Sequence, residues 1–463
     1  MNTVCFTCDD GMLSRAARVA YGDLIGNCCP FRDGLLTEPK TCVLAGLDYD
    51  TPWTRDTGIN CFNAVSVIDP AIAYNTLLSV CETVDGKNRI GGQYWDAVIW
   101  SLGAFRQWQV TADRDFLTFA ADVIANTLAW KEAQEQDPAD GLFRGAAVYQ
   151  DGISAYDDAI AGSTTDNSPC ILDWNESPAV PRAPHGFGLP CKALSTNCVY
   201  VAAYRVVSQM LTALGKDGKP YADKADTLSA AINRHFWNDA TGRYDFMFYG
   251  DVRNDRAEGI GLAFAILFGI ADKKQCDSIV ANTYVSPHGI PCVWPSYQRY
   301  LVGGNFGRHS GTVWPHVQGF WALAMLHCGH PEAFDRELRL MAEKAVRDNQ
   351  LAEIYHPMTG EIYGGVQENF DEGTKLWKSC DRQTWSDTAY WSLLLYGVAG
   401  LRITPESVTV RPYLPAGVTR AELTGIRIGD LELTVRITKG GGFPKEKTVS
   451  RDGTGALTVE LSV

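Results

Sequence analysis

From about residue 12 to residue 401, apolar residues recur at helical period in segments each long enough for one helix. The clearest are 71–84, 94–110, 114–134, 196–214, 219–236, 258–271, 312–328, 331–348 and 384–399, with weaker segments at 13–25, 57–67 and 271–282. About a dozen helices of ordinary globular length follow, and no long β alternation interrupts them. Asp113 before Arg114, and Ser195 ahead of 200–207, read as helix N-caps. Helices repeating in this way bury their apolar stripes against one another in pairs. After residue 401 the pattern changes to alternation at 408–410, 422–428, 431–437 and 457–463, punctuated by Gly and Pro, which predicts a small β-rich unit. At about 60 residues it can barely sustain a core alone, so it is expected to pack on the helices.

Four long connections, 37–56, 137–195, 283–311 and 352–383, separate the helices and are rich in Gly, Pro, Asp and aromatic residues. Loops beyond roughly 12–15 residues are uncommon in compact domains unless functional or disordered, and aromatic-rich stretches lack the composition of disorder. They are expected to build a site on one rim of the helical scaffold. Charge bounds what that site takes. With 54 acidic against 41 basic residues, the formal net charge of -13 repels nucleic acid and anionic membrane surfaces and leaves a neutral ligand easier to accommodate. No basic region followed by an apolar one opens the chain, and the longest uncharged apolar stretch, 259–271, falls short of the ~20 residues of a bilayer span. The expectation is a cytoplasmic protein with no membrane partner. The 14 cysteines are scattered and read as free thiols. Cys5-Phe6-Thr7-Cys8 has neither the second pair of a zinc ribbon nor the βαβ context of a redox motif.

Five short constellations lie at helix edges. Pro52-Trp53-Thr54-Arg55-Asp56-Thr57 sets an aromatic ring beside an Arg/Asp pair able to stack on a sugar ring and bind its vicinal hydroxyls, although Asp56 also suits a cap. Gly91-Gly92-Gln93-Tyr94-Trp95-Asp96 offers Gln93, Trp95 and Asp96 as wall residues, with Asp96 equally at home near a helix N-terminus. Tyr149-Gln150-Asp151-Gly152, then Tyr156-Asp157-Asp158, put carboxyls among aromatic rings, where burial raises a pKa toward that of a general acid. Asp157 and Asp158 also read as a solvated turn. In Gly307-Arg308-His309-Ser310-Gly311-Thr312-Val313-Trp314-Pro315, Arg308 and Trp314 are contact candidates, while His309 has no partner at metal-ligand spacing and reads as hydrogen-bonding or exposed. In the stretch from Glu353-Ile354-Tyr355-His356-Pro357 to Tyr363, Glu353 is a better seat for a water-activating base than Glu361 in its Thr-Gly-Glu turn. Tyr363, and Trp385 of Gln383-Thr384-Trp385-Ser386, are further contacts.

Together these stretches resemble the six-hairpin glycosidases, the (α/α)6-barrel clan that includes the family 63 glucosidases and family 37 trehalases, over most of residues 50–401. Trp53-Thr54-Arg55-Asp56 is similar to the clan's aromatic-x-Arg-Asp segment, and the 308–315 stretch to its Arg-x-x-Gly-x-x-Trp segment, both at the sugar site. Glu353-Ile354-Tyr355-His356 is similar to the Glu-x-Tyr-Asp/Asn segment that carries the general base, and Gln383-Thr384-Trp385-Ser386 to the Phe-x-Trp-Thr/Ser that follows. The Gly-aromatic-Asp context of the acid is where the chain departs, with Asp151 preferred and Asp157 the alternative. The resemblance implies an all-α (α/α)6 barrel over 1–401, with the small β unit at 402–463. It also implies an exo-acting hydrolase of an oligosaccharide or glycoside, an α-glucoside by analogy, working with inversion. Asp151 would protonate the leaving oxygen and Glu353 deprotonate water, with the carboxyls about 6.5–9.5 Å apart. No metal and no organic cofactor is implied. The rival readings are a barrel epimerase, isomerase or lyase, for which none of the 8 histidines sits in an acid/base pair, and a non-catalytic carbohydrate-binding barrel.

Overall fold

The computed structural model describes residues 4–92, 94–162, 167–173, 189–370 and 373–463. Among them are twelve helices of seven or more residues. They are α1 (Gly11–Gly26), α2 (Thr54–Asn60), α3 (Pro70–Ser79), α4 (Trp100–Thr111), α5 (Arg114–Glu135), α6 (Leu194–Ala213), α7 (Lys219–Phe236), α8 (Gly259–Leu267), α9 (Lys273–Asn282), α10 (Pro315–Cys328), α11 (Pro331–Asp348) and α12 (Thr384–Ser392). The even-numbered helices touch in a closed ring, each against the next and α12 back against α2, while each odd-numbered helix packs outside against an inner neighbour. This helix-rich arrangement is that of an (α/α)6 barrel.

The two rings differ in sequence for a physical reason. A helix surrounded by protein is apolar on every side, and all residues of α8 from Gly259 to Ile266 are buried. An outer helix needs one stripe: α11 buries Phe334, Leu338, Met341 and Ala345 at helical spacing, with Asp335, Glu337 and Lys344 buried beside them, and turns Glu332, Arg336, Glu343 and Arg347 outward. Each large side chain so buried contributes roughly 1.5–3 kcal/mol. Most helix bounds fall within a few residues of the periodic segments. The periodicity predicts a helix over 71–84, but α3 stops at Ser79 and the chain enters a hairpin, Cys81–Val84 with Lys87–Ile90. Asp113 caps α5 by accepting from Asp115 and Phe116 N–H. Ser195 lies inside α6 instead of capping it: its N–H donates to Glu258 and its hydroxyl accepts from Val148 N–H, so it joins α6 to two neighbouring segments.

The C-terminal segment forms two sheets. β1 (Cys5–Cys8) pairs antiparallel with β4 (Arg420–Ile428), which pairs antiparallel with β5 (Leu431–Thr438), itself parallel to β7 (Gly455–Ser462). The other sheet holds β2 (Leu401–Ile403), β3 (Ser407–Val410) and β6 (Lys447–Ser450). Leu431, Leu433, Val435 and Ile437 alternate inward and share one continuous core with the barrel helices. The pairing of β1 with β4 brings the two ends of the chain into one sheet, which a four-residue strand ahead of the first helix did not announce. Among the described residues no helix is long and apolar enough to cross a membrane.

The inner ring closes because small residues allow close approach. A Cβ on Gly103 of α4 would sit 2.8 Å from the Gly58 carbonyl oxygen of α2, and one on Gly58 would sit 2.7 Å from Ile99 oxygen. Alanine is the better helix former by up to ~1 kcal/mol, yet Gly103→Ala is expected to destabilise the protein by about 1–3 kcal/mol through overpacking. Urea unfolding measures this.

Candidate active site

The long connections meet at the end of the barrel where the inner helices begin. They enclose a cavity of about 350 Å³, toward the small end of ligand pockets, which run from about 300 to 1,000 Å³. Asp56, Asp151 and Glu353 are its carboxyl groups, Arg55 and Arg308 its guanidiniums, and Tyr49, Trp53, Tyr94, Tyr149, Trp314, Trp377 and Trp385 its aromatic wall.

Glu353 is buried, and three donors hold it. Arg308 Nη2 donates to Oε2 at 2.7 Å, Cys380 N–H donates to the same oxygen at 3.2 Å, and Tyr49 hydroxyl donates to Oε1 at 3.1 Å. Arg308 is itself fixed: its Nη1 donates to the Gly364 and Lys378 carbonyls, each at 2.9 Å, and its backbone N–H to Val366 oxygen at 2.9 Å. The carboxylate therefore has one orientation, supported from three separate chain segments.

Also in the lining, Arg55 Nη2 donates to Asp151 Oδ2 at 3.1 Å, and the guanidinium lies 4.3 Å from the Tyr94 ring centroid. Burial alone would raise the Asp151 pKa, but Arg55, with help from His309 and Tyr94, holds it below the usual carboxylate range. Asp56, on the first turn of α2, is pushed up to about 8, chiefly by burial, with Arg55 opposing and the nearby Glu353 and Asp96 adding to the rise. It is thus a neutral carboxylic acid near neutral pH. His309 Nε2 stands 3.9 Å from Asp151 Oδ1. Burial lowers its pKa to about 3 against the pull of Asp151, so the pair is no ion pair above that pH.

The floor is aromatic. His316 stacks on Trp385 with centroids 4.2 Å apart, meets Tyr149 edge-on at 4.4 Å, and Tyr149 lies 5.0 Å from Trp314. Two of the lining aromatics, Trp53 and Tyr149, hold φ of 50° and 58°. Left-handed backbone in a bulky residue stores strain that persists where the surroundings fix it, characteristically at functional sites. Gly152 has no room for a Cβ, which would collide with the His309 ring and Gln367. Ser154 ties the same turn down, donating to Gln367 Oε1 and accepting from His309 N–H, both at 2.9 Å.

Of the residues singled out in the sequence, Trp53, Arg55, Asp56, Asp151, Arg308, Trp314, Glu353 and Trp385 line this cavity. Gln93 lies outside the described residues. Trp95, Asp96 and Tyr363 stand behind the wall. Trp95 donates its indole N–H to Ala147 oxygen at 3.0 Å, Asp96 accepts from Tyr149 N–H at 2.7 Å, and the Tyr363 hydroxyl is spent on Asn305 and the Phe306 backbone. Asp157, the alternative acid, caps the short helix Asp158–Ala161 by accepting from Ile160 N–H, and Asp158 points outward to Arg299. Neither reaches the cavity, because the chain turns away after Gly152. Tyr49, Tyr94, Trp377 and Gln383 are lining residues that sequence reasoning did not select, and His309 is buried rather than exposed. For Tyr49 and Trp377 the signal was the aromatic density of the long loops, which marks a site without ranking its members. Among the described residues, no group of three or more His, Cys, Asp or Glu side chains is placed to hold a metal ion.

A closed helical ring thus carries at one end an aromatic cavity lined by Asp56, Asp151 and Glu353. Residues 81–386 match the profile of the mannosylglycerate hydrolase MGH1-like glycoside hydrolase domain, and the chain belongs to that family of glycoside hydrolases. Comparison with curated proteins finds no match. Among solved structures, a sialidase superposes with a TM-score of 0.71 at 14% identity, over 97% of this chain and 40% of its own. A GH78 family rhamnosidase of Bacillus sp. GL1 gives 0.56 at 14% identity, over 100% of this chain and 44% of its own. The GH63 mannosylglycerate hydrolase of Thermus thermophilus, solved with glucose, gives 0.61 at 13% identity, over 81% of this chain and 100% of its own. The same enzyme solved with Tris and D-glycerate gives 0.59. At such identities these structures share the fold. The chain spans less than half the length of the sialidase and the rhamnosidase.

The environment of His309 has a measurable consequence. The unfolded chain protonates this residue near 6.5 and the folded protein only near 3, so between those values the unfolded chain binds a proton that the folded protein does not. His309 therefore withdraws stability as pH falls from about 6.5 toward 3. His309→Gln is expected to show a shallower loss of unfolding free energy between pH 6.5 and 4, read by urea titrations at each pH.

Proposed function

We propose that this chain is an exo-acting glycoside hydrolase that removes a terminal sugar, an α-glucosyl residue, with inversion of the anomeric centre. The observation that carries the reading is the pair Glu353 and Asp151 facing one cavity, each bound to its own arginine. In this reading the terminal ring stacks on the aromatic wall, while Arg55, Asp56 and Arg308 engage its hydroxyls. Glu353 takes a proton from water on one face of the anomeric carbon, and Asp151 gives one to the leaving oxygen. Inversion asks for carboxyls about 6.5–9.5 Å apart so that water fits between base and sugar. The glucose in the Thermus enzyme's structure supports the glycone assignment. Residues 1–401 act as the catalytic barrel and 402–463 as the β unit that braces it, with Cys5–Cys8 crossing over to its sheet.

The Arg55 bond sets a condition on the acid. A donor must hold a proton at working pH, and Arg55 favours the ionised form of Asp151. Bound sugar hydroxyls therefore have to draw Arg55 away before Asp151 can serve.

Glu353→Gln is expected to lower kcat by about 10²–10⁴-fold with little change in the affinity for a competitive sugar inhibitor; near-normal turnover would remove Glu353 from the base position. Asp151→Asn is expected to cut turnover of alkyl glycosides strongly and of dinitrophenyl glycosides little, because a good leaving group needs no proton. Equal losses on both kinds of substrate would remove Asp151 from the acid position.

A further inference from the structure

We infer that Gln367 is a substrate-binding residue, whose side-chain NH2 group donates to a hydroxyl oxygen of the bound glycoside beside the Asp151 turn. The inference deepens the glycosidase reading and rests on it for what enters the cavity. Gln367 lines the cavity, yet only 5% of its surface is exposed. It belongs to the short strand Val366–Asn369, which pairs antiparallel with Gly373–Leu376. Alternation along a strand sends successive side chains to opposite faces. Gln367 turns to the cavity, and Glu368 turns to Tyr300 and Arg299, accepting from the Tyr300 hydroxyl at 2.5 Å and from Arg299 Nε at 3.3 Å. The backbone is pinned as well: Val366 oxygen accepts from Arg308 N–H at 2.9 Å, and Gln367 oxygen accepts from the Trp377 indole N–H at 3.3 Å.

The hydrogen bonds of Ser154 decide which end of the amide is left over. Ser154 is fully buried; its oxygen accepts from His309 N–H at 2.9 Å and its single proton goes to Gln367 Oε1, also at 2.9 Å. Among the described residues that proton has no other acceptor, so the reversed amide would strand a buried hydroxyl donor. Oε1 is therefore spent on the Asp151 turn, in the space that the missing side chain of Gly152 leaves open. Nε2 is the other end, and among the described residues it has no acceptor. Buried polar groups are nearly always hydrogen-bonded. Two N–H bonds held ready at a cavity wall are completed by an acceptor that arrives with the ligand, and a group fixed beforehand loses little freedom when it binds. A sugar hydroxyl accepts through its oxygen and still has a proton to offer a carboxylate such as Asp151.

Calorimetric binding tests this, with Glu353→Gln as the background so that nothing turns over. Adding Gln367→Met is expected to weaken binding of methyl α-glucoside or of maltose about ten-fold, equivalent to about 1.4 kcal/mol. Loss with methyl α-glucoside places the hydroxyl on the terminal sugar, and loss with maltose alone places it on the leaving group. For a hydroxyl on the terminal sugar, methyl α-glucosides deoxygenated at positions 2, 3, 4 and 6 complete a double-mutant cycle. The one lacking the contacted hydroxyl should bind the Gln and Met forms equally. Gln367→Glu keeps an acceptor for Ser154 but has no donor, and should bind as weakly as the Met form. Unchanged affinity for both sugars in Gln367→Met, the same loss for every deoxy sugar, or full affinity in Gln367→Glu reduces Gln367 to a brace for the Asp151 turn and overturns the inference. Binding of methyl α-mannoside in place of the glucosides, with the same dependence on Gln367, would overturn the glucose assignment and uphold the inference; binding of none of these sugars would overturn both.

Discussion

Arg308 and Glu353 meet at 2.7 Å in a space both side chains have almost sealed from water, and much of the rim is organised around that contact. A buried pair costs several kcal/mol when one partner is removed, because the other is left charged and dry. Here the cost is spread through a network. Arg308 bonds the carbonyls of Gly364 and Lys378, and Glu353 exchanges backbone and side-chain hydrogen bonds with Cys380. Two loops far apart in sequence, 283–311 and 352–383, thereby close as one piece over the barrel mouth. Three donors leave the Glu353 carboxylate little freedom to swing.

The wall around Arg55 has another character. Arg55 serves Asp151 directly and Asp56 and Asp96 at longer range, so its charge is divided among acids in unlike environments. Asp151, a quarter exposed and hydrogen-bonded, stays ionised. Asp56, wholly enclosed on the first turn of α2, keeps its proton. One wall of the cavity thus presents both a carboxylate and a carboxylic acid, the kind of divergence that burial and pairing create from identical groups.

Much of the barrel was legible because its two rings need different helices. An inner helix such as α8 is apolar throughout and an outer one such as α11 is striped, and both signatures survive in local sequence. Long aromatic loops marked the rim, and Trp53, Arg55, Arg308, Glu353 and Trp385 stood out by chemistry beside a helix start. What stayed hidden depends on contacts between distant segments. Tyr49 is unremarkable until its hydroxyl meets Glu353, 304 positions away. Asp96 looked like a wall residue, yet its carboxylate holds the Tyr149 backbone. Trp95 looked like a platform, yet its ring is sunk in the small core under the Asp151 loop. Nor does sequence reveal that β1 crosses to pair with β4, because four residues carry no period that names a distant partner.

The central claim, that Glu353 and Asp151 act from opposite faces of one anomeric carbon, is tested most directly by the configuration of the first-formed product. An aryl α-glucoside hydrolysed in an NMR tube, with spectra taken before mutarotation, should show the β-anomer of the free sugar appearing first. Initial appearance of the α-anomer would mean retention through a covalent intermediate, and would contradict the placement of water between Glu353 and the sugar.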